Sequence, residues 1–277
     1  MRNITVKNID NKKAAAIFTT RLGGVSKEAR LSSLNLGSFS GKHDKAENVR
    51  KNYELTACEL GFSVNNVIYA HQRHTDDILV ADESFLRAVR ANTVRPCALP
   101  LPDNYIYDAM VTNIPGIMLT ARSADCVPIL FYDGENGAIG AAHCGWRGTA
   151  AGLQIKTARK MREIYGSNLS KLKAAVGPCI SKCCYEVSAY DVYDTFVNIF
   201  GEDIKAFFES RIIGGVPLEG KYMCDLKAIN KFLLLRELDG ANIEISGHCT
   251  CCEPDLFYSY RRDGADCGTH AAFIGLI

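Results

Sequence analysis

An α+β fold is expected, with mixed β-sheets sandwiched by helices in one domain spanning residues 1–277. Two observations predict it. Apolar, strand-like runs follow one another between about residues 66 and 144 without a regular βαβ beat, and consecutive strands favour segregated elements over a doubly wound sheet. Helical patterns lie on either side of that block, and no Pro/Gly/Ser-rich linker divides the chain.

The elements follow in order. AAAIFTT (14–20) reads as a strand, and RLGGVSKEARLSS after it as a loop. Residues 44–60 carry the apolar stripe Val49, Tyr53, Ala57 and Leu60, with Asp44 as expected N-cap and Gly61 at the C-terminal stop. NVIYAHQ and DILVAD are strand candidates joined through RHTD. The three prolines of NTVRPCALPLPDNYI (92–106) predict an irregular loop, the best candidate for an insertion or lid. YDAMVT, GIMLTAR, CVPILFYD and GAIGAAH follow as strands, and GWRGTAAG leads into a helix ended by Gly166. KAAVGPC is a further strand, helices are expected over 188–200 and from Asp225 to Asp239, and NIEISGHC and AAFIGLI close the chain as strands.

Composition narrows the function classes. The 277 residues are 47% hydrophobic and 23% charged, with a formal net charge of +1. Such a balance provides no basic field to gather nucleic acid or an anionic membrane surface. No run approaches the roughly 18 apolar residues of a membrane span. The first residues, MRNITVKNIDNKK, are polar, so a cytoplasmic protein is expected. In that setting the 12 cysteines read as reduced thiols and metal ligands rather than a disulfide framework.

The chemistry concentrates at strand ends. His71 closes VIYAH, Cys126 opens CVPILFY and His143 closes GAIGAAH. Two imidazoles and a thiol are a natural three-ligand set for Zn²⁺, and three protein ligands leave the fourth tetrahedral position for water or substrate. The residues are far apart in sequence and no CxxC or HExxH spacing links them, so core packing of Cys126 and ordinary hydrogen bonding of the histidines are the alternatives.

Around this set, Gln72 and His74 of HQRHTD can orient the ligand or meet substrate, and His74 can carry a proton. Asp125 precedes Cys126 and can accept from a metal-bound histidine or act as general base; a turn aspartate bonding local backbone is its plainer reading. In AAHCGWRGTAAG (141–152), Gly145 and Gly148 allow close backbone approach, Thr149 can cap the next helix, and Arg147 offers a fork for phosphate or carboxylate. Trp146 is expected to pack. GPCISKCCYEV (177–187) reads as a structural loop near the pocket, with Glu186 pairing an arginine. His248, Cys249, Cys251 and Cys252 form a dense soft-ligand cluster, the strongest rival zinc site, although no second pair with matching spacing is evident. Arg261 and Arg262 can anchor an anion or form salt bridges.

Taken together, FTTRLGGVS (18–26), LNLG (34–37), HQRH, DAMVT, ADCVPI, AAHCGWRGT, GPCISKCCYEV and CTCCEPDLFYSYRRDG resemble the bacterial YfiH-type family, also called the laccase-domain or polyphenol oxidase family and viewed as purine nucleoside phosphorylase-like. The resemblance covers nearly the whole chain. It implies a zinc held by His71, Cys126 and His143, and phosphorolysis of adenosine, inosine or methylthioadenosine with adenosine deamination. The partners implied are a small-molecule nucleoside and phosphate. Asp125, His74 and Arg147 are then the catalytic candidates, and Arg21, Gln72, Thr149 and Arg261 the substrate-binding ones. Copper fits less well, because multicopper sites need many imidazoles and the chain has six histidines. The chain departs from the family pattern at CGTHAAFI, where Thr269 and His270 stand in place of the threonine–glycine–arginine step expected after the double arginine, at Arg122, and in the length of the 92–106 loop.

Two rival functions use the same residues or none of them: a metal-free cysteine hydrolase or amidase with Cys126 as nucleophile and His143 as base, and a non-catalytic, zinc-stabilised binding protein.

Overall fold

The structure, a computed structural model, describes residues 3–9, 12–37, 44–92, 99–100 and 105–277, with residues 92, 99 and 100 as backbone only. Strands are numbered in chain order. One sheet runs β1 (Ile4–Thr5), β2 (Ala14–Phe18), β15 (His270–Leu276), β7 (Met118–Ser123), β3 (Val67–Tyr69), β5 (Leu99–Pro100). A second runs β14 (Ile243–Ile245), β10 (Lys173–Val176), β8 (Val127–Asp133), β9 (Ala138–Cys144), β6 (Ala109–Thr112), β4 (Ile78–Val80). A small third sheet is β11 (Glu186–Ser188), β13 (Val216–Cys224), β12 (Phe208–Ile213). Both large sheets are mixed: β3 lies parallel to β7, and β4 to β6, while β7–β15 and β8–β9 are antiparallel.

Strand side chains alternate between faces, and this sorts the core into layers. Leu130 and Tyr132 of β8 pack between the two large sheets with Leu119 and Ile274 of the other sheet. Their neighbours Ile129 and Phe131 point the opposite way, with Leu153, Ala158 and Met161 of α4 (Leu153–Tyr165) and Ile229 and Leu233 of α6 (Leu226–Leu234). On the far face of the first sheet, Ile17, Tyr69, Met118 and Phe273 pack with Val49, Tyr53 and Ala57 of α1 (Ala46–Glu59). The order is helix, sheet, sheet, helix. All seven residues of β8 are buried, which is why its sequence is a continuous apolar run rather than an alternating one.

The expected strands form, several of them shorter than expected. Asp225 caps α6, accepting from Ala228 N at 2.9 Å, and Gly166 ends α4. Three features differ. Lys45, not Asp44, is the N-cap of α1; one Asp44 oxygen turns inward to Ser26 (2.6 Å) and Asn35 (3.0 Å), and the other accepts from Lys45 N (2.8 Å) and the Asn48 amide (2.9 Å). The strand block is interrupted by α2 (Glu83–Asn92), whose start is fixed by Asp82 accepting from Phe85 N at 2.7 Å. The β12–β13 hairpin gives no sequence signal because most of its residues are exposed, so neither face alternates apolar with polar. Its turn needs Gly214 (φ 59°) and Gly215 (φ 84°), the two positive-φ positions of a type I′ loop. Most of the 92–106 segment lies outside the described residues; Leu99–Pro100 within it forms β5 rather than loop.

His270 has a definite consequence. It is 1% exposed, its ring sits 5.5 Å from Phe257 and 6.5 Å from Tyr258, and neither nitrogen has a partner among the described residues. Burial alone holds its pKa down, from 6.5 to about 3. The unfolded chain therefore takes up this proton first as pH falls. Stability is full above about 6.5 and is lost progressively towards about 3. His270→Phe is expected to remove roughly 2 kcal/mol of the acid-induced loss between about pH 7 and about pH 5. Denaturant unfolding of both proteins at the two pH values checks this; identical losses contradict it.

Candidate metal centre

β3 belongs to the first sheet and β4 to the second, so the segment between them crosses from one sheet to the other. That crossing carries His74. In the second sheet the β8–β9 register pairs Val127 with Cys144 and Pro128 with His143, which sets Cys126, just before β8, beside the end of β9. Ligand atoms of His74, Cys126 and His143 consequently lie within 4.8 Å of one another. The two imidazole rings are 5.0 Å apart. His143 is buried, Cys126 half-buried and His74 exposed, so the group opens to solvent on the His74 side. Gly145 is required here: a Cβ on it would stand 2.8 Å from His74 Nδ1 and 3.1 Å from Cys126 Sγ.

The third donor is therefore His74, and His71 is not part of the group. His71 still follows the line of β3: its N–H donates to Tyr105 O at 3.1 Å, and it bridges to Ile106 in parallel. The chain then turns, and His74 adopts φ 61°, a left-handed conformation that histidine tolerates better than most residues. That turn, rather than strand alternation, aims its ring at Cys126.

Asp108, which the sequence analysis did not single out, fixes both histidines. Its Oδ1 lies 2.8 Å from His143 Nδ1. Its Oδ2 accepts from Arg73 N (3.0 Å), Thr75 N (2.7 Å) and Thr75 Oγ1 (2.9 Å), the residues flanking His74. Asp108 is 2% exposed. Burial raises its pKa, but the bond to His143 and the donors from Thr75 and Arg73 override that and bring it to about 2. The other two groups shift in opposite senses. Burial pushes the Cys126 thiol up, but His143 and His74 bring it down to about 6. Burial pushes His143 down, but Cys126 and Asp108 raise it to about 9. The donor chemistry fits a metal cation: a thiol inclined to ionise, two imidazoles, and a carboxylate behind one ring, the arrangement that orients metal-ligating histidines.

The remaining predicted residues are mostly committed to holding loops. Both ends of the Gln72 amide bond the Arg122 backbone, at 2.8 and 2.9 Å. Arg122 lies 4.6 Å over the Tyr69 ring. Asp125 has φ 104°, a strained conformation costing on the order of 1–3 kcal/mol. Its carboxylate accepts from Thr250 Oγ1 (2.6 Å), Ser259 Oγ (3.0 Å) and Arg261 N (2.7 Å), which leaves Asp108 in the role considered for it behind the histidine. Thr149 is not a cap; it lies inside α3 (Trp146–Ala150), buried, in hydrogen-bond contact with Asn230 (3.0 Å). Arg21 donates to Ser32 O, Pro254 O and Ala29 O. Arg261 donates to Cys184 O (3.3 Å) and Glu186 O (2.9 Å). The Glu186 carboxylate pairs with Arg211 at 3.3 Å. Arg147 is exposed, 4.3 Å over the Trp146 ring, with no carboxylate partner among the described residues.

A four-layer α+β sandwich with a two-histidine, one-cysteine group at the sheet ends suits a metal-binding family. The chain belongs to that family: residues 15–277 match the family described as multi-copper polyphenol oxidoreductase laccase. It is 33% identical over 270 residues to the purine nucleoside phosphorylase YlmD of Bacillus subtilis, covering 97% of this chain and 91% of that protein. It is 32% identical to adenosine deaminase RL5 from an unknown prokaryotic organism, covering 91% and 90%. The crystal structure of Bacillus licheniformis hypothetical protein YfiH superposes with a TM-score of 0.82 at 33% identity, covering 95% of this chain and 93% of that one.

Asp108→Asn keeps the shape but removes the charge that orients the pair. We expect metal affinity at the His74–Cys126–His143 group to fall about 10–100-fold, measured by competition with a chelator. An unchanged affinity would show that Asp108 is not the organising group.

Proposed function

We propose that the chain is a zinc-dependent purine nucleoside phosphorylase that also deaminates adenosine, with His74, Cys126 and His143 as the metal ligands in place of the expected set containing His71. The observation that carries it is the open, three-donor group backed by Asp108. The names of relatives at about one-third identity supply the substrate class. A zinc ion held by three protein ligands supplies a Lewis acid and the means to activate water at neutral pH. Copper is disfavoured by the small number of imidazoles: of six histidines, His248 is bonded to Glu253 and His270 is enclosed in the core.

The chain's own residues bind and orient. Arg147, exposed at the start of α3 two residues after Gly145, is the group we assign to the phosphate. Asp125 is assigned a positioning role, because three donors already occupy its oxygens. Arg21, Gln72 and Arg261 are assigned to clamping loop backbone rather than to direct substrate contact. Adenosine, inosine and methylthioadenosine are the substrates to test, with phosphate as co-substrate. A cytoplasmic setting suits the free thiols.

One observation favours a second reading. As free side chains, Cys126, His143 and Asp108 form a thiolate–imidazolium pair backed by a carboxylate, the arrangement of a cysteine nucleophile. Alkylation of Cys126 in zinc-replete protein separates the two: a thiol protected by zinc and exposed by chelation supports the first reading, and a thiol alkylated rapidly whether or not zinc is present supports the second.

With adenosine and phosphate, His74→Ala is expected to abolish release of free base, whereas His71→Ala retains it. Chromatography of the products, with and without phosphate, reads this out, and the reverse pattern overturns the ligand assignment. Arg147→Ala is expected to raise the KM for phosphate about tenfold or more with a smaller effect on that for adenosine; an equal effect on both substrates contradicts the assignment.

A further inference from the structure

A second group of soft ligands lies outside the site described above. The sulfurs of Cys183, Cys184, Cys249 and Cys252 all lie within 4.8 Å of one another. Cys183 Sγ is 3.8 Å from Cys249 Sγ and 3.4 Å from Cys252 Sγ, and Cys184 Sγ is 3.3 Å from Cys252 Sγ. Four thiolates, each about 2.3 Å from a zinc ion at the centre of a tetrahedron, stand about 3.8 Å apart. A disulfide would need about 2.0 Å, and all four are free thiols. The spacing is that of a tetrahedral tetrathiolate site.

The surroundings are built to hold such a group. Two segments far apart in sequence are pinned together beside it: Cys179 bridges to Cys249, and Thr250 N donates to Cys179 O at 3.1 Å. The Ser181 N–H donates to Cys249 Sγ at 3.3 Å. Lys227 is 9% exposed, and its ammonium joins both segments, reaching Ser246 O (2.9 Å), His248 O (2.7 Å) and Ser181 Oγ (3.4 Å). A buried cation there complements four thiolates around a divalent ion, which together carry a net negative charge. Glu253 holds His248 Nδ1 at 2.8 Å, and His248 is not part of the group. Exposure of Cys183 and Cys252 leaves the site open to loading from solvent.

We propose that Cys183, Cys184, Cys249 and Cys252 form a structural zinc site that staples the 181–185 loop to the 248–253 turn. Four protein ligands close the coordination sphere, so the site has no catalytic position. The site is tied to the first centre by two bonds to Asp125, the neighbour of Cys126: Thr250 Oγ1 donates to its carboxylate (2.6 Å), and Ile180 N donates to its backbone oxygen at 2.9 Å. The proposal is independent of the catalytic reading.

Elemental analysis of the full chain, expressed with zinc, tests it. Cys183→Ser combined with Cys252→Ser is expected to bind one zinc per chain fewer than the unsubstituted protein, whereas His74→Ala and Cys58→Ser both keep that zinc. Should the double variant not fold, His74→Ala loaded with cobalt(II) carries the test alone: it is expected to show the sulfur-to-cobalt charge-transfer and intense visible bands of a tetrahedral tetrathiolate. In the unsubstituted protein, alkylation followed by mass spectrometry is expected to find these four thiols protected with zinc and labelled together after chelation. A His74→Ala protein without metal, labelling indifferent to zinc, or disulfides among the four in zinc-replete protein would each overturn the proposal.

Discussion

One buried carboxylate organises the His74–Cys126–His143 group. Asp108 stands just before β6, where its backbone oxygen accepts from His143 N at 2.7 Å as the ladder to β9 begins. One side-chain oxygen then meets the His143 ring and the other gathers the turn that presents His74. A single charge thus couples a rigid strand end to a tight turn on another segment. Without it, the turn that carries His74 would lose the acceptor for three of its donors, and His143 Nδ1 would lose the carboxylate that sets its tautomer. The low pKa of Asp108 reflects how many donors it serves.

The sandwich supplies what that carboxylate acts on. Antiparallel pairing of β8 with β9 puts the residue before one strand beside the residues ending the other. A crossing between sheets brings a third segment to the same edge. The resulting group grades from buried His143 to exposed His74. A cation would therefore be fixed from inside and approached from outside, which is the arrangement a small substrate needs.

The charged residues of the loops mostly stabilise backbone. Arg21, Arg261 and Arg262 each clamp main-chain oxygens of loops, and Asp125 gathers donors from the C-terminal segment. Irregular loops carry backbone polar groups that regular ladders do not satisfy, and such clamps meet that need. This explains why several residues expected to touch substrate are engaged elsewhere, while Arg147, stacked on Trp146 and otherwise open, is not. It also ties the cysteine-rich segments to the first centre, since Arg261 bonds the carbonyl of Cys184 and its own N–H bonds Asp125.

By itself the sequence determined the class of fold, most of the strands and the presence of a His/Cys centre. Apolar periodicity and glycine stops are local properties, and Cys126 and His143 were legible because each lies at the end of an apolar run. It did not reveal α2, whose capping aspartate lies inside an apparent strand block, or the β12–β13 hairpin, whose solvated faces leave no pattern. It pointed to His71 because that residue continues β3. Only the tertiary structure decided for His74, through a positive-φ turn held by Asp108, a residue distant in sequence. The same holds for the four thiols: adjacent Cys183–Cys184 matched no ligand spacing, and they meet Cys249 and Cys252 because Lys227 and paired backbone bring the two segments together. Ligand sets made from separate strands and turns are fixed by register and crossing, and neither is encoded in local spacing.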